Sequence, residues 1–174
     1  MTTFGDPIDF PGWLRDNESQ LKPPVNNKQI FPGRDDFIVM VVGGPNRRTD
    51  FHVDPYEEFF HQLKGNMHVD IVTDGRVRPI HIREGQMWVL PANVPHSPQR
   101  PEPGSLGMVV ERVRKEGTLE KFQWYCPNCS ALVYEVELQV RDIVTDLPPV
   151  FEKFYADSRA RTCDACGTLH PGKG

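Results

Sequence analysis

Between Asp36 and Val113 the chain is cut into short apolar or alternating runs: Phe37 to Val42, Glu58 to Lys64, Met67 to Val72, Val77 to Ile82, Gln86 to Leu90 and Leu106 to Val113. Runs of this length, rich in Val, Ile, Phe and Trp, suit a pleated surface with one face buried. The turns between them are marked. Lys64-Gly65-Asn66, Thr73-Asp74-Gly75-Arg76 and Arg83-Glu84-Gly85-Gln86 each place glycine where a hairpin needs a positive φ. The pattern predicts consecutive antiparallel hairpins closed into an all-β sandwich or barrel.

Elements outside this region differ. Phe10 to Lys22 has Trp13, Leu14 and Leu21 at roughly helical spacing and stops at Pro23-Pro24, which predicts a short amino-terminal helix. After Glu116-Gly117 the chain passes Phe122-Gln123-Trp124-Tyr125, forms an alternating strand from Ala131 to Val140, and reaches a short apolar helix over Pro148 to Tyr155. There is no internal repeat and no low-complexity tract. A chain of 174 residues buries one substantial core but not two, so one domain with an appendage is expected, divided near Gly117.

Charge narrows the partners. The net charge of -4 comes from interspersed residues, with no basic block to neutralise a run of phosphates, so nucleic acid is not an expected partner. Met1 to Leu21 has neither a basic start nor an apolar core, so no signal peptide is expected, and no stretch approaches the about 18 apolar residues of a membrane span. These features predict a cytoplasmic protein. All four cysteines fall in two pairs, Cys126-Pro-Asn-Cys129 and Cys163-Asp-Ala-Cys166. In a reducing compartment two such pairs predict one tetrahedral, structural metal site of iron or zinc.

Two stretches carry the chemistry. In the first, His52 is followed by Glu58 and, seven residues later, by Gly65; in the second, Gly85 is followed by Pro91 and then by His96. Both resemble the paired motifs of the cupins, whose barrel holds a metal on side chains from separate strands. Asp54 stands where the first motif commonly has a second histidine, which leaves His52, Glu58 and His96 as the implied ligands. Two histidines and one carboxylate leave coordination positions open for substrate and dioxygen, which points to iron(II). Glu57 competes with Glu58, but only one of two adjacent residues on a strand faces inward, and the motif spacing selects Glu58. His61, His68, His81 and His170 are expected to be ordinary solvated or hydrogen-bonded residues, and Arg47 a surface charge.

The wider stretches Phe37 to His52, Pro55 to Phe60, His96 to Ser105 and Ile143 to Pro149 resemble the 3-hydroxyanthranilate 3,4-dioxygenase family, and the cysteine tail resembles that of its bacterial branch, with a rubredoxin-like metal site. The resemblance implies a mainly β cupin, or jelly-roll, barrel over residues 1–117 with the catalytic iron. Residues 118–174 would complete the fold and carry the four-cysteine site. It further implies opening of the 3-hydroxyanthranilate ring with dioxygen to 2-amino-3-carboxymuconate semialdehyde. That product closes to quinolinate, serving the kynurenine pathway and NAD biosynthesis. Position by position, Arg100 would pair with the substrate carboxylate, Arg48 would face dioxygen, and Glu111, with Glu58, would accept a substrate proton. Asn27 and the Ile143 region would belong to a lid, and the chain would form a homodimer.

Two other classes fit a cupin: a non-catalytic sensor of a small aromatic acid, and a metal-dependent sugar phosphate isomerase. The isomerase needs a lysine cluster for phosphate, which the barrel segments lack, and the paired arginines favour an aromatic carboxylate.

Overall fold

The computed structural model describes residues 5–23 and 26–173. Of the expectations above, those resting on Met1 to Phe4 and on Pro24 lie outside the described residues. The mainly β barrel is present: eleven strands in two antiparallel sheets among the described residues, with two α-helices.

The strands are β1 (Asn27–Gln29), β2 (Phe37–Gly43), β3 (Asp50–Val53), β4 (Glu58–Lys64), β5 (Met67–Thr73), β6 (Arg76–Ile82), β7 (Met87–Leu90), β8 (His96–Gln99), β9 (Leu106–Arg112), β10 (Glu120–Tyr125) and β11 (Leu132–Leu138). One sheet has the order β1-β2-β9-β4-β7, the other β11-β10-β3-β8-β5-β6. The hairpin between β5 and β6 turns through Asp74 and Gly75, both at positive φ, with Thr73 opposite Arg76. That is the geometry which the Asp-Gly pair favours.

Strand periodicity decides what enters the barrel. On β4 the inward phase is Glu58, Phe60 and Gln62, all buried, while Glu57, just before it, is exposed. Phe60 joins Met67, Val69, Ile71, Ile82, Leu90 and Val109 in one buried core. Removing such a ring costs about 3–5 kcal/mol. A second core joins Phe122 and Trp124 of β10 to Phe154, with Tyr134 and Phe151 packed against it.

The amino-terminal helix is shorter than expected. Helix α1 spans Phe10–Asp16 and gives way to one 3-10 turn over Glu18–Leu21. Asn17 causes the break, because its amide donates to the Trp13 carbonyl at 2.7 Å and takes an acceptor at the helix end. Helix α2 is longer than expected and spans Ile143–Ala156 with Pro148 and Pro149 inside it. Its start is secured by Asp146, whose carboxylate accepts the backbone N–H groups of Arg141 and Asp142 at 2.8 and 2.9 Å.

Strands β3, β8 and β10 were not expected as separate elements, and they position the site. The chain beyond Gly117 returns as β10, antiparallel to β3, with Phe122 opposite His52. On the other side of β3, His52 is directly opposite His96 of β8.

Candidate active site

Pairing of β3 with β8 sets the two imidazoles side by side, their ring centroids 5.3 Å apart. Glu58 begins β4 in the facing sheet and reaches across the barrel. Its Oε1 lies 3.1 Å from His96 Nε2 and 3.6 Å from His52 Nδ1. All three side chains are buried, and their donor atoms fall within 4.8 Å of one another.

The outer nitrogens of both rings are held. His96 Nδ1 is 3.0 Å from the Val94 carbonyl, and His52 Nε2 is 2.6 Å from Glu120 Oε2. Outer hydrogen bonds of this kind fix the tautomer and aim the other nitrogen inward, as metal-ligating imidazoles require. The three residues therefore fit a divalent metal. Electrostatics agree. Burial opposes a charged imidazole, yet Glu120 and Glu58 push His52 up to about 9. Burial would raise the Glu58 carboxyl, but His96 and His52 outweigh it and hold it well below the usual range. The cluster gathers negative charge around a point where a cation belongs.

These residues open onto a cavity of about 260 Å³ whose apolar wall includes Met40, Phe60, Pro98, Val109 and Leu147. Arg48, Arg100 and Glu111 also line it, so the structure brings together all six site residues singled out from the barrel sequence. Their surroundings differ. Arg48 is paired with the buried Asp50. Glu111 accepts from Arg114 Nη1 at 3.1 Å. Its carboxyl is nonetheless held above the ordinary value by burial, partly offset by Arg114, with Glu58 adding to the rise. Arg100 is 1% exposed and has no acidic partner among the described residues; its Nη1 donates to Gln62 Oε1 at 2.6 Å, and its Nε has no acceptor. Burial alone lowers this guanidinium to about 10. Asn27 and Ile143 lie at the cavity edge.

Several residues here escaped the sequence reading. Glu120 bridges His52 to Arg114, whose Nε it accepts at 2.6 Å, while Phe122 stacks on His52 with centroids 5.0 Å apart. Gln62 and Asp50 hold the two arginines. A signal existed: Glu120 is in phase with Phe122 and Trp124, and Gln62 with Phe60, so each is a polar residue on an apolar strand face. The histidines expected to stand apart do so. His61 lies on the outward phase of β4, His68 faces His81 across β5 and β6, and His170 packs on Phe154.

The four cysteines converge at a second place. Cys126 and Cys166 sulfurs are 3.5 Å apart, and those of Cys129 and Cys163 are 3.6 Å apart. Two chain turns of the same design build the cluster. In each, the first cysteine's N–H donates to the carbonyl five residues on, and its carbonyl accepts from the N–H four residues on: Ala131 and Ser130 for Cys126, Thr168 and Gly167 for Cys163. The Thr168 hydroxyl, a backbone N–H and the Asn128 amide bring Cys166 down to about 5, favouring the thiolate that a metal needs.

Comparison with known proteins gives the family. A family model described as 3-hydroxyanthranilic acid dioxygenase matches residues 3–155. A 3-hydroxyanthranilate 3,4-dioxygenase of Paraburkholderia phytofirmans is 51% identical over 173 residues, 99% of each chain. Its namesake in Shewanella woodyi is 53% identical over 166 residues, 95% of this chain and 87% of that one. Among solved structures, a cupin-2 domain containing protein from Shewanella frigidimarina gives a TM-score of 0.48 at 21% identity, covering 61% of this chain and 94% of that one. With a family model across most of its length and relatives at half identity from end to end, this chain belongs to the 3-hydroxyanthranilic acid dioxygenase family.

Proposed function

We propose that this protein is a non-haem iron(II) dioxygenase of the extradiol type that opens the ring of 3-hydroxyanthranilate with dioxygen, giving 2-amino-3-carboxymuconate semialdehyde. The observation that carries the reading is Arg100, a buried cation without an acidic partner among the described residues, in the cavity onto which His52, Glu58 and His96 open. A guanidinium left unneutralised in an apolar cavity calls for an anionic ligand. An aromatic carboxylate supplies both the anion and the apolar body. The relatives' names supply the substrate class.

His52, Glu58 and His96 would hold iron(II), which when bound supplies open positions for the substrate's adjacent amine and hydroxyl and for dioxygen. The rest follows from the protein. Arg100 takes the carboxylate and so fixes the ring's position on the cavity wall. Phe60, Val109 and their neighbours exclude water. Glu111, its carboxyl raised by burial, accepts the proton released as the substrate hydroxyl ionises. Arg48 presents positive charge where negative charge develops on dioxygen, and Asp50 holds it in that direction. Glu58 shares the proton-accepting task.

The same reading assigns the product to quinolinate and NAD synthesis, and a closed structural iron or zinc to the four cysteines. The reading also places the enzyme in the cytoplasm; none of the helices of the described residues is long and apolar enough to cross a membrane. A homodimer is supported by the exposed apolar side chains Phe37, Met87 and Val89. The test is anaerobic loading with iron(II), then 3-hydroxyanthranilate and air. Product absorbance and oxygen uptake in equal amounts are expected, both lost in His96→Ala. Iron-loaded protein that binds the acid but consumes no oxygen would refute the enzyme and favour a sensor.

A further inference from the structure

Arg48 and Arg100 line one cavity, yet the structure treats their charges in opposite ways. Arg48 is paired with a carboxylate, Asp50. Arg100 is held by an amide: Gln62 Oε1 accepts from its Nη1 at 2.6 Å, and Gln62 Nε2 donates to the Lys64 carbonyl at 2.9 Å. The second bond determines which end of the amide faces the guanidinium. Gln62 is wholly buried, on the inward phase of β4 two residues past Phe60. Behind the pair lies Gly107 of β9, where a Cβ would sit 2.5 Å from Arg100 Nη1 and 2.7 Å from Gln62 Oε1. Any side chain at 107 would displace the guanidinium. The backbone of Arg100 is held as well, its N–H donating to Asn46 Oδ1 at 2.7 Å.

We propose that Gln62 is a positioning and specificity residue: it aims the Arg100 guanidinium without neutralising it, reserving that charge for the substrate carboxylate, and Gly107 leaves the space this requires. The inference rests on the reading of Arg100 as the carboxylate anchor. Its logic is competitive. A carboxylate at position 62 would form a buried ion pair with Arg100, and the substrate would have to displace a bound anion before its own could enter. An apolar isostere would leave the charge but release its direction.

The test compares Gln62→Glu, Gln62→Met and Arg100→Met with the parent, all loaded with iron(II). Two substrates are used: 3-hydroxyanthranilate and 2-aminophenol, which has the same chelating pair and no carboxylate. For Gln62→Glu the expected result is a rise in KM for 3-hydroxyanthranilate of about 30–100-fold with kcat changed far less. The preference for the carboxylated substrate, as a ratio of kcat/KM values, should fall by a similar factor. Gln62→Met should lose about 5–10-fold of that preference, the scale of one ordinary intramolecular hydrogen bond. A general packing defect would depress both substrates together and leave the ratio unmoved. Titration of 3-hydroxyanthranilate into metal-free protein, followed by tryptophan fluorescence, should give the same order of affinities. If Arg100→Met leaves the preference intact, the carboxylate-anchor reading fails and this inference with it. If Arg100→Met abolishes the preference while both Gln62 variants keep it, the anchor stands and the role of Gln62 is refuted.

Discussion

Glu120→Gln exchanges one atom and should cripple metal binding through a tautomer. In the parent, Glu120 is 1% exposed and accepts on both oxygens, from His52 Nε2 on one and Arg114 Nε on the other, each at 2.6 Å. In the neutral imidazole that binds a metal, the remaining proton therefore resides on Nε2, which frees Nδ1, 3.6 Å from Glu58, to ligate. An amide at 120 has one acceptor. Because Arg114 is permanently charged, the amide oxygen turns to it, and the NH2 group then faces Nε2. That nitrogen must become the acceptor, which moves the proton to Nδ1 and occupies the lone pair that a metal needs. Loss of such an outer carboxylate costs about 10–100-fold in metal affinity, or about 1.4–2.7 kcal/mol. Competition of the protein with a calibrated chelator for iron(II) or cobalt(II) under anaerobic conditions measures it directly. Nitrogen chemical shifts of His52 in the metal-free protein, recorded above the raised pKa of about 9 where the ring is neutral, report the tautomer. Glu120→Asp keeps the charge and should recover part of the loss. An affinity within two-fold of the parent, with His52 still protonated on Nε2, would refute the reasoning.

Other expectations test other parts of the molecule. Ser130 occupies φ 61 in the first cysteine turn where Gly167 occupies φ 73 in the second, so Ser130→Gly should stabilise by about 1 kcal/mol, read as a raised Tm. His170 is buried against Phe154, and burial first, then Arg161, lowers its pKa. A depressed pKa means that its contribution is fully present above the unfolded value of about 6.5 and is lost as pH falls through the folded value. Unfolding curves of the parent and His170→Gln should therefore converge toward pH 5, and a gap that does not change with pH would show that the His170 pKa is the same in the folded and unfolded chains. Cys163→Ser should remove one equivalent of bound metal and lower the Tm while the iron at His52, Glu58 and His96 remains, as elemental analysis and ring-cleavage rate per catalytic iron will show.

Local chemistry made much of this protein legible in one dimension. The β5–β6 hairpin follows from Asp74-Gly75 between two alternating runs, and the inward phase of β4 follows from a two-residue period that buries Glu58 and exposes Glu57. Cys-x-x-Cys pairs announce a shared metal because four soft ligands in two tight turns have few other uses. Helix ends were less legible: Asn17 and Asp146 act through side-chain bonds to the backbone that compete with apolar periodicity.

What only the tertiary structure decided was partnership between distant residues. β3 and β8 are four-residue strands that register as elements through pairing with neighbours from elsewhere in the chain, and that pairing sets His52 against His96. Glu120 lies 68 residues beyond His52 and Gln62 lies 38 before Arg100. Nothing in the local sequence tells an arginine held by an acid from one held by an amide. That distinction, between Asp50 at Arg48 and Gln62 at Arg100, arises from the closing of two sheets around a buried interior. There a charge left without a counter-ion is costly, and its persistence marks where a ligand's charge is to go.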